Sequence, residues 1–151
     1  MMKNDSALFY TCSLVEFIGR ERKLPRSNVV QQLGTRVLRR IYTHADVLHS
    51  DVIANVANEF IELCAIGTGD FDNVAACHYE VPDYWTIGEV YERLIEDVCG
   101  EDDGVDQVIA VMEEVFGSWI SDHISDYNTD FYYQSRGYLA ACYETGEVLE
   151  S

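Results

Sequence analysis

Between Val52 and Cys64, the apolar residues Val52, Ile53, Val56, Ala57, Phe60, Ile61 and Cys64 recur at steps of three and four. Steps of three and four build one continuous face on an α-helix and scatter across both faces of a strand. The same period recurs in every segment long enough to judge. Residues 7–22 are apolar nearly all round (Leu8, Phe9, Cys12, Leu14, Val15, Phe17, Ile18) and close on Arg20 and Arg22, a buried helix with cations in its last turn, where they suit the helix dipole. Thr86-Ile87-Gly88-Glu89 has the form of a capping box, opening a helix that turns Ile87, Val90, Tyr91, Leu94, Ile95 and Val98 inward and Glu89, Glu92, Glu96 and Asp97 to water. One long helix is expected to carry Val105, Val108, Ile109, Met112, Val115, Phe116, Trp119, Ile120 and Ile124, and a tyrosine-rich helix to span 131–143. With no credible alternation anywhere, the fold class is all-α, a compact bundle of six to eight helices.

The breaks divide this bundle. Pro25 and Ser27 mark a helix start with Ser27 as its cap, and Gly34 interrupts the helical stretch that follows. Residues 65–83 are turn-rich, from Gly67-Thr68-Gly69-Asp70 to Val81-Pro82-Asp83, where proline holds its predecessor extended. The expected organisation is a helical module over 1–64, a connector over 65–83 and an acidic helical half over 84–151 that shares one core with the first.

Charge follows the same division. Of the 151 residues, 1–40 hold eight Lys/Arg against three acids, whereas 41–151 hold only Arg93 and Arg136 against 24 acids. A segment carrying −22 repels phosphate backbones, which argues against nucleic acid as the partner and for a basic protein surface, or the basic segment of a second copy in a homodimer. No apolar run is long enough to span a membrane, and the five scattered cysteines read as reduced thiols of a cytoplasmic protein.

Constellations that carry chemistry are weak here. The four histidines are dispersed, and Cys77-His78 with Glu80 is the best local cluster; adjacent ligands chelate one ion poorly, so no metal is expected. Asp126, Asn128 and Asp130 take the first, third and fifth places of a calcium loop, but Phe131 stands where that loop needs Gly and Gly137 where it needs Glu; an Asx turn is the simpler reading. Gly67-Thr68-Gly69 is no dinucleotide fingerprint, and no cofactor or catalytic residue is assigned. Residues 26–41 outline a helix-turn-helix, with Arg36, Arg39 and Arg40 on the outer side of its second helix. In Asp46-Val47-Leu48-His49-Ser50, Asp46 and His49 are spaced to share a hydrogen bond and form a site. The structural account has Asp46 capping a turn, Val47 and Leu48 entering the core, and His49 or Ser50 capping the next helix.

Phe9, Cys12, Glu16 and Phe17, then Val37-Leu38, then Asp46-Val47-Leu48-His49-Ser50 give residues 7–64 a resemblance to a family of small bacterial proteins known as domain of unknown function 3791. Ala45 replaces the aromatic residue of the family's turn. The resemblance implies a small intracellular helical module without assigned activity, encoded in some genomes beside ADP-ribosyltransferase-like proteins, a setting that suits a neutralising partner. The functional expectation is therefore a non-enzymatic protein-interaction module, antitoxin-like or regulatory. Its acidic aromatic surface would include Tyr84, Trp85, Glu89, Glu92, Glu96 and Asp97, residue types that supply interface area and charge. The alternative is a dimeric DNA-binding regulator that uses residues 26–41.

Overall fold

The computed structural model describes residues 5–150. They form eight α-helices, α1 (Asp5–Arg22), α2 (Arg26–Thr43), α3 (Ala45–Leu48), α4 (Ile53–Leu63), α5 (Tyr84–Val98), α6 (Val105–Phe116), α7 (Trp119–Ile124) and α8 (Arg136–Thr145), with a 3₁₀ turn at Phe131–Tyr133 and no strand among the described residues. The all-α expectation holds, because each helix buries the face its apolar spacing marks out.

The central helix is α1. It touches α2, α3, α4 and, most extensively, α5, and so buries residues on every side, from Leu8 and Tyr10 to Leu14, Val15 and Ile18. One hydrophobic cluster takes residues from both sides of the connector, including Leu14, Leu38, Ile41, Ile87, Leu94 and Phe116. The α1–α5 crossing is close because Gly88 has no side chain: a Cβ there would stand 2.8 Å from Ser13 Cα.

Several boundaries differ from the sequence expectation. Asp83 caps α5 through Oδ1, which accepts from Trp85 N at 2.6 Å. Pro82 keeps the chain extended just ahead of it, so the carboxylate takes the cap three residues before the Thr86 box could form. The helix at 26 starts directly after Pro25 with no side-chain cap, which leaves Ser27 inside the first turn. Gly34 does break that helix, at φ 78° and ψ 166°, a backbone only glycine adopts without strain. The expected long helix is two, since Ser118 caps α7 after Gly117. The tyrosine-rich stretch likewise splits, with Ser135 capping α8.

Two helices end in left-handed residues that are not glycine, Lys23 (φ 53°) and Ala65 (φ 51°). In each, the next amide reaches back five residues, Leu24 N to Gly19 O and Ile66 N to Ile61 O, both at 3.0 Å, and Leu24 and Ile66 are buried. The apolar contact of a Schellman ending thus offsets the backbone penalty. The connector is stitched down at both edges: Gly69 N and Phe71 N donate to Arg22 O and Lys23 O, and Asn128 takes His78 N (2.7 Å) and donates to Ala76 O (3.0 Å).

Candidate interaction surface

A buried polar hub fixes the frame. Glu16 lies wholly inside α1, and an uncompensated carboxylate there would be prohibitively costly. Arg26, buried at the start of α2, meets it side-on: Nε to Oε1 at 2.8 Å and Nη2 to Oε2 at 3.0 Å. Arg20 Nε adds a third bond to Oε2 at 2.7 Å, and Tyr127 donates its hydroxyl to the same oxygen. Two further guanidinium protons of Arg26 go to Leu24 O and Asn73 Oδ1, while Asn73 donates onward to Ser125 O. Burial would raise the Glu16 pKa, but the charges and hydrogen bonds of Arg26, then of Arg20 and Tyr127, outweigh it and hold the carboxyl below its usual range. Gly19 gives Arg26 its room; a Cβ there would come within 2.6 Å of Nε. With Glu16 and Arg26 both buried, the hub positions the elements that meet there. Sequence reasoning passed over Arg26. The available signal was Glu16 itself, a charge on a helix apolar all round.

Nearer the start of α1 the structure brings together two separate sequence features. His49 follows α3, and Tyr84 and Trp85 open α5, yet the ring centroids of His49 and Trp85 are 5.5 Å apart. Phe9 lies 5.5 Å and Tyr84 5.0 Å from Trp85, and Tyr10 lies 5.0 Å from His49. Phe9, Tyr84 and Trp85 are half-buried and His49 is exposed, with Asp46, Asp51 and Asp83 exposed nearby in the chain. Asp46 and His49 share no hydrogen bond or ion pair, and Asp46 caps nothing. Val47 does not enter the core; it is 65% exposed, as Val52 is at 64%. Neither His49 nor Ser50 caps α4, which starts after Val52 with no side-chain cap; just ahead of it Asp51 Oδ1 accepts from Val52 N at 2.7 Å. Ser50 instead donates to Val47 O. The turn is too short to bury Val47 once Ala45 and Leu48 face α1.

Of the α5 carboxylates, Glu89 and Asp97 are exposed, whereas Glu92 and Glu96 are partly covered. Both arginines of the acidic half are committed within the molecule. Arg93 pairs with Glu89 at 3.4 Å. Arg136 forks onto Asp97 at 2.8 and 3.1 Å and reaches Glu96 at 3.6 Å. Beside them, α5 and the 131–139 segment enclose a groove of about 190 Å³ lined by Glu89, Val90, Tyr132, Tyr133 and Leu139, and Tyr133 is largely exposed. A second hollow of about 370 Å³ has Asp70, Asp72, Asp122 and Asp126 around Phe71 and Tyr127.

On the basic face, Arg36, Arg39 and Arg40 are all exposed. Arg39 is drawn to Asp106 of α6 at 2.8 Å, and Thr35 donates to Glu113 of the same helix. An acidic helix therefore flanks the would-be recognition segment and lowers its potential for phosphate. The Asp126 turn is an Asx turn, with Asn128 N donating to Asp126 Oδ1 at 3.1 Å. Cys77 Sγ faces Tyr79 O and His78 is exposed. Among the described residues, Asp5, Glu92 and Glu96 alone bring three ligating side chains within 4.8 Å of one another. No helix of the described residues is long and apolar enough to cross a membrane, and all five cysteines are free thiols. No family model matches the chain, and neither a curated protein nor a solved structure matches it.

Proposed function

We propose that the chain is a non-enzymatic protein-interaction module of the cytoplasm, antitoxin-like or regulatory, that binds a basic protein through an acidic aromatic surface. The observation that carries this reading is the convergence of His49, Tyr84 and Trp85 with Phe9 on one partly exposed cluster at the head of α5, continued along that helix by Glu89 and Glu92. Aromatics of this kind bury large area at low entropy cost, and carboxylates without free arginines beside them set the sign of the partner. The resemblance of residues 7–64 to domain of unknown function 3791 fits the same reading.

The DNA-binding alternative draws on Arg36 and Arg40, which make no ion pair among the described residues. The Arg39–Asp106 pair and the carboxylates of α6 weigh against it.

The test is affinity capture from native cell lysate with the intact chain, followed by calorimetry with the purified partner. Trp85→Ala and the pair Glu89→Gln, Glu92→Gln should each weaken binding, and the charge variant should flatten its salt dependence. Glu96 and Asp97 are left intact because Arg136 depends on them. Binding indifferent to both variants, or capture of nucleic acid alone, refutes the proposal.

A further inference from the structure

Where the connector passes the end of α7, the hollow of about 370 Å³ sets Asp70, Asp72, Asp122 and Asp126 in one wall with Phe71 and Tyr127. Its volume lies at the lower end of the range of small-molecule sites. No lysine or arginine lines it. Two of the four carboxylates serve local turns: Asp72 accepts from Ala75 N at 3.0 Å and Asp126 from Asn128 N at 3.1 Å. The side chains of Asp70 and Asp122 enter no hydrogen bond or ion pair among the described residues, so the fold itself makes no use of their charge.

The surroundings leave the wall negative. Behind it, Asn73 and Tyr127 bond to the buried hub, whose two arginines exceed Glu16 by one charge, and Lys23 Nζ stands 3.9 Å from Asp72. The four carboxylates outnumber these cations, and the net charge of −17 adds a general attraction for positive ligands. An anion is therefore repelled. A single metal ion needs ligating oxygens that converge, yet no three of these carboxylates bring theirs within 4.8 Å of one another. Charges spread around an aromatic hollow suit a cation whose own charges are spread, with methylene segments between them to cover the rings.

We propose that this hollow binds a linear aliphatic polyamine, its methylene segments against the aromatic wall and its ammonium groups donating to the surrounding carboxylates, Asp70 and Asp122 foremost. None of the α5 residues of the interaction surface lines the hollow, so this site and that surface stand or fall separately.

The probe is spermidine, titrated into the full chain by calorimetry while the backbone amide signals are followed by NMR. The expected result is saturable binding with shifts centred on Phe71, Asn73, Ser125 and Tyr127. Asp70→Asn combined with Asp122→Asn should weaken it roughly fivefold or more, the loss of two partly exposed charge pairs. These two side chains bond to nothing in the fold, so the melting temperature should not move. Phe71→Leu keeps the wall apolar without the ring and should weaken binding as well. Glu101→Gln combined with Asp102→Asn, in the exposed turn before α6, removes the same charge elsewhere and should leave the affinity unchanged. Magnesium at equal total charge should not displace spermidine. Absence of saturable binding, shifts spread over the acidic surface, or affinity unchanged in either wall variant would overturn the proposal. So would equal weakening by the remote pair or displacement by magnesium, since either would reduce the effect to the net charge of the chain.

Discussion

Replacing Arg26 with methionine tests the hub most directly. The substitution keeps a long apolar stem in the channel that Gly19 leaves open, and removes both guanidinium bonds to Glu16 together with those to Leu24 O and Asn73 Oδ1. Arg20 and Tyr127 remain on Glu16, so the carboxylate is weakened in its partners rather than abandoned. Breaking one side of a buried pair costs about 3–5 kcal/mol. That is about a fifth or more of the roughly 5–15 kcal/mol that holds a typical domain together. At about 2–4 °C per kcal/mol for a chain of this size, the melting temperature should fall by roughly 10 °C. Urea titration at neutral pH measures the loss. Its pH dependence supplies the check on mechanism. Because the folded state holds the Glu16 pKa below its ordinary value, the carboxylate's contribution is complete above about pH 4.3 and is lost as pH falls through the folded value. Below that point a protonated Glu16 needs no cation, so the gap between Arg26→Met and the parent should narrow. The double variant Glu16→Leu, Arg26→Met should lose less than the two single losses combined, because neither charge is then left without its partner. A loss under about 1 kcal/mol, or one unchanged between pH 7 and pH 3, would refute the claim that a buried ion pair holds these helices.

Gly88→Ala should destabilise by about 1–3 kcal/mol in the same titration, since Ser13 Cα is backbone and cannot step aside. Gly137→Ala, in α8 with nothing within 4 Å of the new methyl, should instead gain about 0.5–1 kcal/mol; equal effects at the two sites would contradict the close α1–α5 approach. Asp83→Ala should cost about 1 kcal/mol and fray the head of α5, visible as faster amide exchange at Trp85. Tyr10→Phe should leave the melting temperature unchanged or higher, because it removes an unpaired buried hydroxyl; a clear drop would show that the hydroxyl has a partner in solution.

Most of the helix inventory was legible because amphipathic spacing is a local signal, and the chain obeys it from Leu8 to Ile124. What local pattern could not supply was competition between neighbouring signals. Asp83 won the α5 cap from Thr86, and Gly117-Ser118 outweighed an uninterrupted apolar stripe. Lys23 and Ala65 ended helices where glycine would be the usual mark. Burial of polar groups was less legible still. The pair of Glu16 with Arg20 follows from i,i+4 spacing, but its other partners lie 10 and 111 residues away, and spacing carries no information about them. The aromatic cluster belongs to the same class. Tyr84-Trp85 and His49 were each conspicuous, and only the packing of α1 against both α3 and α5 makes them neighbours.

The hub also bears on how the chain matures. Its acid and two arginines leave the ribosome early, whereas the phenol that completes their set is 111 residues downstream of Glu16. At about 5–20 residues per second, the nascent amino-terminal helices wait several seconds with a charged seam still open to water. Until Tyr127 and Asn73 close over that seam, the young chain is at its most exposed to proteases and to capture by chaperones. A truncation before residue 127 would leave Glu16 without the hydroxyl that Tyr127 donates to it.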